Sequence, residues 1–421
     1  KISLYAGFND HAEARVIVER IEAWVKDGNR RDSSAILYRS NAQSRVLEEA
    51  LLREAVPYRI YGGQRFYDRL EIRNTLAYLR LMVNRFDDAA FERVINTPTR
   101  GIGGKTVDGI RLFAREQGCS LWEAAQKMVA NKGLTARAAN AVASFVDLVE
   151  SLATQAADKL LSEVADNVIK TSGLYDFHKA EKGEKGQARI ENLEELVNAC
   201  GAFNSEDDDA LSPLHEFLDR AALDSGEAQA DEFDDAVQLM TLHSAKGLEF
   251  PLVFLAGAEE NLFPHRMSAE DPTRLEEERR LAYVGITRAM QKLVITYAES
   301  RRMHGQENFN SVSRFIKEIP TELLDEVRIK NTITRPVSFN RSTPSFGRSS
   351  SEFSRKAATQ RLSDDGDETG FYLGQRVKHP IFGDGKILHF EGDGAGARVQ
   401  VKFEMEGSKW LVLKFAKLEG L

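Results

Sequence analysis

An alternation of strand-like and helix-like segments, broken once and then resumed, constrains this chain more than any other feature. Residues 2–6 alternate like a strand, 10–26 carry Ala14, Val16, Ile17, Ile21, Trp24 and Val25 at helical spacing, and 35–38 form a short apolar run. Residues 43–53 are helical again and 58–61 extend. The pattern returns at Val237, with strands at 237–241, 252–256 and 292–297 around a helix at 275–289. Strands separated by helices in this way require a parallel sheet covered by helices. Between the two stretches, residues 62–233 show long helical periods, as in 76–82 and 141–152, with polar loops at 206–209 and 228–235. The predicted class is therefore α/β. A discontinuous parallel-sheet domain (1–61 and 234–330) is interrupted by a mostly helical insertion (62–233).

Residues 331–369 are rich in Ser, Thr, Arg and Asp and poor in large apolar side chains, which predicts a disordered linker. From 370 to 421, short alternating runs at 375–378, 385–390, 398–403 and 409–412 are separated by glycine turns, the pattern of a small all-β barrel. Most of its aromatics Phe382, Phe390, Phe403, Trp410 and Phe415 are expected in the barrel core, and its lysines face no evident chemistry. No run approaches the 18 or so apolar residues of a membrane span. Two cysteines, Cys119 and Cys200, fit a reducing compartment and offer no metal site. The net charge of −8 argues against a chain-wide grip on nucleic acid, while leaving room for a local basic groove. The chain begins at Lys1 with no initiator Met and no signal-peptide pattern, which reads as a start inside a longer protein.

Four segments carry chemistry. In 241–250 (TLHSAKGLEF) a strand runs into a small polar loop, where ligands of parallel sheets bind. His243, Ser244 and Lys246 can donate to phosphates, Gly247 permits close backbone approach, and the Glu249 carboxylate suits a ribose diol. A plain surface loop is the alternative. In 275–289 the acids Glu276, Glu277 and Glu278 precede Arg279 and Arg280, as the helix dipole prefers, and Glu276 is spaced to pair with Arg280. Leu281, Val284 and Arg288 follow at spacings of three and four, which sets Arg288 in line with an apolar stripe. A buried arginine needs an anion, either a nucleotide phosphate or a structural carboxylate. In 97–106 a Gly-x-Gly turn (Gly101, Ile102, Gly103) enters a helix between Arg100 and Lys105, presenting amides to a phosphate or simply turning the chain. In 35–45 a buried strand ends at Arg39, Ser40 and Asn41, residues suited to a single-strand backbone or to a helix cap. The chain contains no G-x-x-x-x-G-K-[ST] phosphate loop, no paired aspartates beside a strand, no Cys/His cluster and no G-x-S-x-G elbow.

In their order along the chain these segments resemble the UvrD/PcrA/Rep family of superfamily 1 DNA helicases. TLHSAKGLEFP (241–251) and EEERRLAYVGITRA (276–289) are its most specific motifs, and the similarity extends through 373–421. The resemblance implies a RecA-like second helicase lobe with a helical subdomain inserted, and an ATP-driven 3′→5′ DNA translocase acting in excision repair, mismatch repair and replication. By matching positions, Arg288 reaches the ATP γ-phosphate as the catalytic arginine, Glu249 holds the ribose, and Gly247 lies against the nucleotide. Arg39, Asn41 and His243 contact single-stranded DNA, and Arg100, Gly101, Ile102, Gly103 and Lys105 contact the duplex of a junction. The barrel resembles the Tudor-like, SH3-like tail that serves protein partners such as RNA polymerase, with MutL and UvrB as further partners. ATP is expected with Mg²⁺, whose ligands and phosphate loop belong to a first lobe that this sequence lacks. This chain alone is therefore expected to be inactive as an ATPase, and the intact protein active. A bacterial cytoplasmic, nucleoid-associated protein is implied, and self-association is left open. The alternatives are a non-catalytic module that docks DNA or RNA polymerase and, with less support, a helicase–nuclease subunit.

Overall fold

The computed structural model describes residues 1–203, 212–226, 234–303, 306–327, 376–379, 383–391, 398–403, 407–412 and 419–420. Lys1–Ile333 and Thr334–Leu421 are two compact units. The first opens with β1 (Ile2–Asn9), α1 (Asp10–Lys26), β2 (Ser34–Tyr38), α2 (Ser44–Arg53) and β3 (Tyr58–Ile60). A helical block follows: α3 (Leu70–Val83), α4 (Asp88–Val94), α5 (Gly104–Gln117), α6 (Leu121–Ala130), α7 (Ala136–Ala156), α8 (Leu161–Thr171), α9 (Leu174–Lys179), α10 (Glu184–Ala202) and α11 (Pro213–Gly226). The sheet then resumes with β4 (Val237–Thr241), β5 (Phe250–Leu255), α12 (Pro272–Ile286), β6 (Ala289–Met303), β7 (Gln306–Phe309), α13 (Arg314–Lys317) and β8 (Leu324–Val327).

The strand order is β3-β4-β2-β5-β6-β1-β8, every neighbouring pair parallel, with β7 antiparallel on β6. Period-two alternation builds the two covering layers. Along β2, Ile36 and Tyr38 pack with Ile17 and Ile21 of α1 and Val46 and Leu51 of α2. The intervening Ala35 and Leu37 pack on the other face with Val253, Leu255, Phe263 and Phe315. The sheet therefore draws its strands from both ends of the unit's sequence. The helical block encloses a core of its own, where Phe91, Trp122 and Phe145 meet edge to face.

Some expectations are corrected. The helix predicted at 275–289 starts at Pro272, capped by the Asp271 carboxylate, and ends at Ile286. Arg288 thus lies in the turn into β6 and not on a helical stripe. Glu276 is taken by Arg279, at 3.2 Å, instead of Arg280. β6 runs well past the predicted 292–297 because its charged end is neutralised inside the fold. Arg301 bonds Glu259 at 2.7 Å and Glu13 of α1 at 2.5 Å. The polar strands β7 and β8 escape prediction for lack of an apolar run.

The second unit forms β9 (Arg376–His379), β10 (Gly383–Glu391), β11 (Arg398–Phe403), β12 (Gly407–Val412) and β13 (Glu419–Gly420) in the antiparallel order β12-β11-β10-β9-β13. Val377, Ile387, Val399 and Val401 are buried in it. The predicted linker 331–369, the acidic run 206–209 and the side chains of the barrel aromatics lie outside the described residues.

Candidate functional site

β2 and β4 are neighbours, with Tyr38 paired to Thr241, so the loops that follow them leave the sheet side by side. The amide of Leu242 donates to the Tyr38 carbonyl at 2.8 Å and ties the two exits together. This is the carboxyl edge of a parallel sheet, where ligands of such folds bind.

In the loop after β4, the Ser244 amide donates to Thr241 Oγ1 at 3.2 Å and tightens the first turn. His243, Lys246, Gly247 and Glu249 are exposed. Gly247 has φ +86°, a left-handed conformation that L side chains avoid, and nothing lies within 4 Å of where a Cβ would stand. Partial desolvation of its ring, and then the Arg39 charge, pull the His243 pKa below its ordinary value. That shift favours the neutral ring, which offers hydrogen bonds and not charge.

Arg288 closes on this loop. Its Nη1 donates to the Leu248 carbonyl at 2.8 Å, its Nε to Val284 O at 3.0 Å and its Nη2 to Thr287 Oγ1 at 3.1 Å. The Phe250 amide donates back to the Arg288 carbonyl at 2.9 Å. Glu249 is thus bracketed by two contacts to Arg288. All the bonds of the half-buried Arg288 side chain among the described residues go to neutral oxygens, so its charge stays available to an incoming anion.

Arg39 is held in the opposite way. Its Nε lies 3.0 Å from both Glu278 carboxylate oxygens and its Nη2 2.6 Å from one of them. Burial disfavours the Arg39 charge, but the Glu278 bond and charge outweigh it and hold its pKa above the ordinary value. Glu278, on α12 and 3 % exposed, also accepts from the His265 amide and Ser268 Oγ, both at 3.3 Å. Ser40 occupies the cap position of the short turn 41–43, and Gln43 Oε1 accepts from the Arg39 and Ser40 amides at 3.0 and 2.8 Å. Asn41 is left exposed as the first residue of that turn. Of the two, Ser40 takes the cap position and Asn41 faces solvent.

The glycine turn lies in the helical block, before α5. Asn96 Oδ1 accepts from the Arg100 amide at 2.8 Å and the Ile102 amide at 3.2 Å. Ile102 is buried in the block's core, while Gly101 (φ +77°), Gly103 and Lys105 are exposed. The Arg100 guanidinium points inward. It donates to the carbonyls of Val94, Pro98 and Ser172 at 3.2, 3.0 and 2.8 Å and lies 5.7 Å from the ring centres of Tyr78 and Phe145. Arg100 fastens the turn, and the exposed surface is backbone plus Lys105.

The sequence-predicted residues thus fall into three groups: Gly247, Glu249 and Arg288; Arg39, Asn41 and His243; and the glycine turn. Glu278 and Gln43, which hold Arg39 and its loop, escaped the sequence reading. Glu278 lies in a visible acidic run, but its partner is 239 positions away.

The chain belongs to the family of UvrD-like helicase C-terminal domains, matched over residues 1–300. Residues 373–419 match the PcrA/UvrD tudor domain. Over 421 residues the chain is 53 % identical to DNA helicase II of Escherichia coli (strain K12), covering 100 % of this chain and 56 % of that protein. It is 54 % identical to DNA helicase II of Salmonella typhimurium, covering 99 % of this chain and 56 % of that protein. To the ATP-dependent DNA helicase PcrA of Bacillus subtilis it is 39 % identical, covering 100 % of this chain and 57 % of that protein. The chain spans little more than half the length of these relatives.

Proposed function

We propose that this chain supplies one wall of the ATP site and the strand-gripping surface of an ATP-dependent 3′→5′ DNA helicase. The observation that carries the reading is Arg288, a half-buried guanidinium bonded to neutral oxygens and bracketing an exposed carboxylate, Glu249. A half-buried cation whose bonds among the described residues go to neutral oxygens is poised for an anion brought by a ligand. With ATP between this lobe and a first RecA-like lobe, Arg288 stabilises charge developing on the γ-phosphoryl oxygens, as arginine fingers do. Glu249 accepts from the ribose hydroxyls, and the bare backbone at Gly247 allows close approach. Mg²⁺, when bound, neutralises the phosphates; its ligands belong to the other lobe.

Asn41 and the neutral His243 hold a single strand by hydrogen bonds, and Arg39 adds the N–H groups that Glu278 leaves open. Glu278 sits on α12, about 12 Å of helical rise before Ile286 and the turn of Arg288. A rigid helix therefore joins the strand contact to the phosphate contact, so closure around ATP shifts the grip. The backbone at the start of α5, with Lys105, receives duplex phosphates at a junction, and Arg100 holds that turn in shape. The proposed domain limits are 1–61 with 234–330 for the α/β lobe, 62–233 for the helical insertion, 331–369 for a linker and 370–421 for the barrel. The barrel serves protein partners, with RNA polymerase, MutL and UvrB as candidates, and the setting is bacterial DNA repair and replication in the cytoplasm, at the nucleoid.

The test is to add, in trans, the segment of the relatives that has no counterpart here and to assay ATP turnover with and without single-stranded DNA. DNA-stimulated turnover that needs both pieces supports the reading. Oligonucleotide binding without turnover would favour a non-catalytic docking module.

A further inference from the structure

Asn41 is held from behind by a residue that belongs to the helical block. Its carbonyl accepts from Nη1 of Arg69 at 2.9 Å. Arg69 sits at the cap of α3, the first helix of that block. The same Nη1 donates to Asn192 Oδ1 on α10 at 2.8 Å, Nη2 to Ser44 Oγ at 2.6 Å and Nε to the Gln64 carbonyl at 3.3 Å. The guanidinium also lies 5.3 Å from the Phe66 ring centre. Arg69 is 7 % exposed and Asn192 4 %. Asn192 is fixed in turn, its Nδ2 donating to Glu71 at 2.6 Å. Arg189 stands 3.7 Å from Glu71 and 2.5 Å from Glu181, which bonds His178 of α9 at 2.7 Å. A continuous run of polar contacts thus leads from α9 through α10 and α3 to the loop after β2. Such a fork fixes its acceptors in one plane, which a lysine cannot do.

We propose that Arg69 and Asn192 are positioning residues that fasten the backbone of Asn41 to α3 and α10, so that the single-strand grip follows the placement of the helical block. The proposal rests on the reading of Asn41 as a strand contact. If Arg69 acts only through that loop, disturbing it matters only while Asn41 still binds the strand.

A double-mutant cycle on the 421-residue chain tests this, with affinity for a labelled oligothymidylate read by fluorescence anisotropy and folding checked by circular dichroism. Arg69→Lys is expected to weaken binding about fivefold in the native background and less than about twofold in the Asn41→Ala background, the signature of coupled residues. Ser44→Ala removes one acceptor of the fork without deleting the arginine; it is expected to follow the same pattern at about twofold and serves if Arg69→Lys does not fold. Weakening by Asn41→Ala, with Arg69→Lys and Ser44→Ala binding like the native chain or costing the same in both backgrounds, would overturn the proposal alone. Native affinity for Asn41→Ala would remove the reading beneath it, and the proposal with it.

Discussion

At the scale of single residues, Arg39 and Arg288 are positioned by opposite means, and different consequences follow. Arg39 is neutralised by a carboxylate that is almost fully buried. Arg39→Ala leaves the Glu278 charge unpaired, and breaking a buried pair costs roughly 3–5 kcal/mol. A loss of about 3 kcal/mol in urea unfolding is expected, since Arg39 keeps some contact with water; a loss under about 0.5 kcal/mol would contradict the pairing. Gly257 is a second sensitive point. It has φ +69°, and a Cβ there would stand 2.3 Å from Nε2 of Gln43, whose Oε1 accepts from the Arg39 and Ser40 amides. Gly257→Ala is expected to destabilise by about 1–3 kcal/mol and to weaken oligonucleotide binding; an unchanged melting curve with native affinity would argue against it. The loop residues His243, Gly247 and Glu249 were legible because a short polar run with glycine follows an apolar strand. The partners of Arg39 and Asn41 were not, because Glu278 and Arg69 reach them only through tertiary contacts.

At the scale of elements, α10 joins the helical block to the sheet edge alongside Arg69 at the cap of α3. Its Glu191 accepts from Ser40 Oγ at 2.5 Å and lies 3.2 Å from His265 Nε2, and its Glu195 bonds Arg45 at 2.7 Å. Burial alone would raise the Glu191 pKa, but the bonds from His265 and Ser40 pull it below the usual carboxylate value. A depressed folded-state pKa adds stability that is complete above the ordinary carboxylate range and lost as pH falls through the lower folded value. Thermal unfolding is therefore expected to show a loss of stability on acidification that Glu191→Gln reduces; an identical acid profile in the variant would discount the contact. The long β6 shows where sequence reading fails at this scale. Residues 298–303 carry two arginines and a glutamate and read as surface, yet Arg301 is enclosed by Glu13 and Glu259, 288 and 42 positions away. Arg288 was misplaced for a related reason. Helical spacing continues through it, but Thr287 caps α12 and the chain turns into the strand.

At the scale of the whole molecule, the broken alternation of strand and helix foretold the division of labour. Its two ends form one sheet, and the helices between them enclose a separate core. The barrel has its own buried residues. A chain ending at Ile333 is therefore expected to unfold with the same midpoint for the α/β unit and to bind oligothymidylate as the longer chain does; lost affinity would assign strand binding to the barrel. We propose that Arg288 takes part in an ATP site shared with a further lobe. The most direct test is ATP turnover by the Arg288→Ala variant, supplemented with the relatives' remaining segment and single-stranded DNA. Loss of turnover by about a thousandfold or more, with oligonucleotide affinity unchanged, is expected from the contribution of an arginine finger. Turnover at the native rate would contradict the claim.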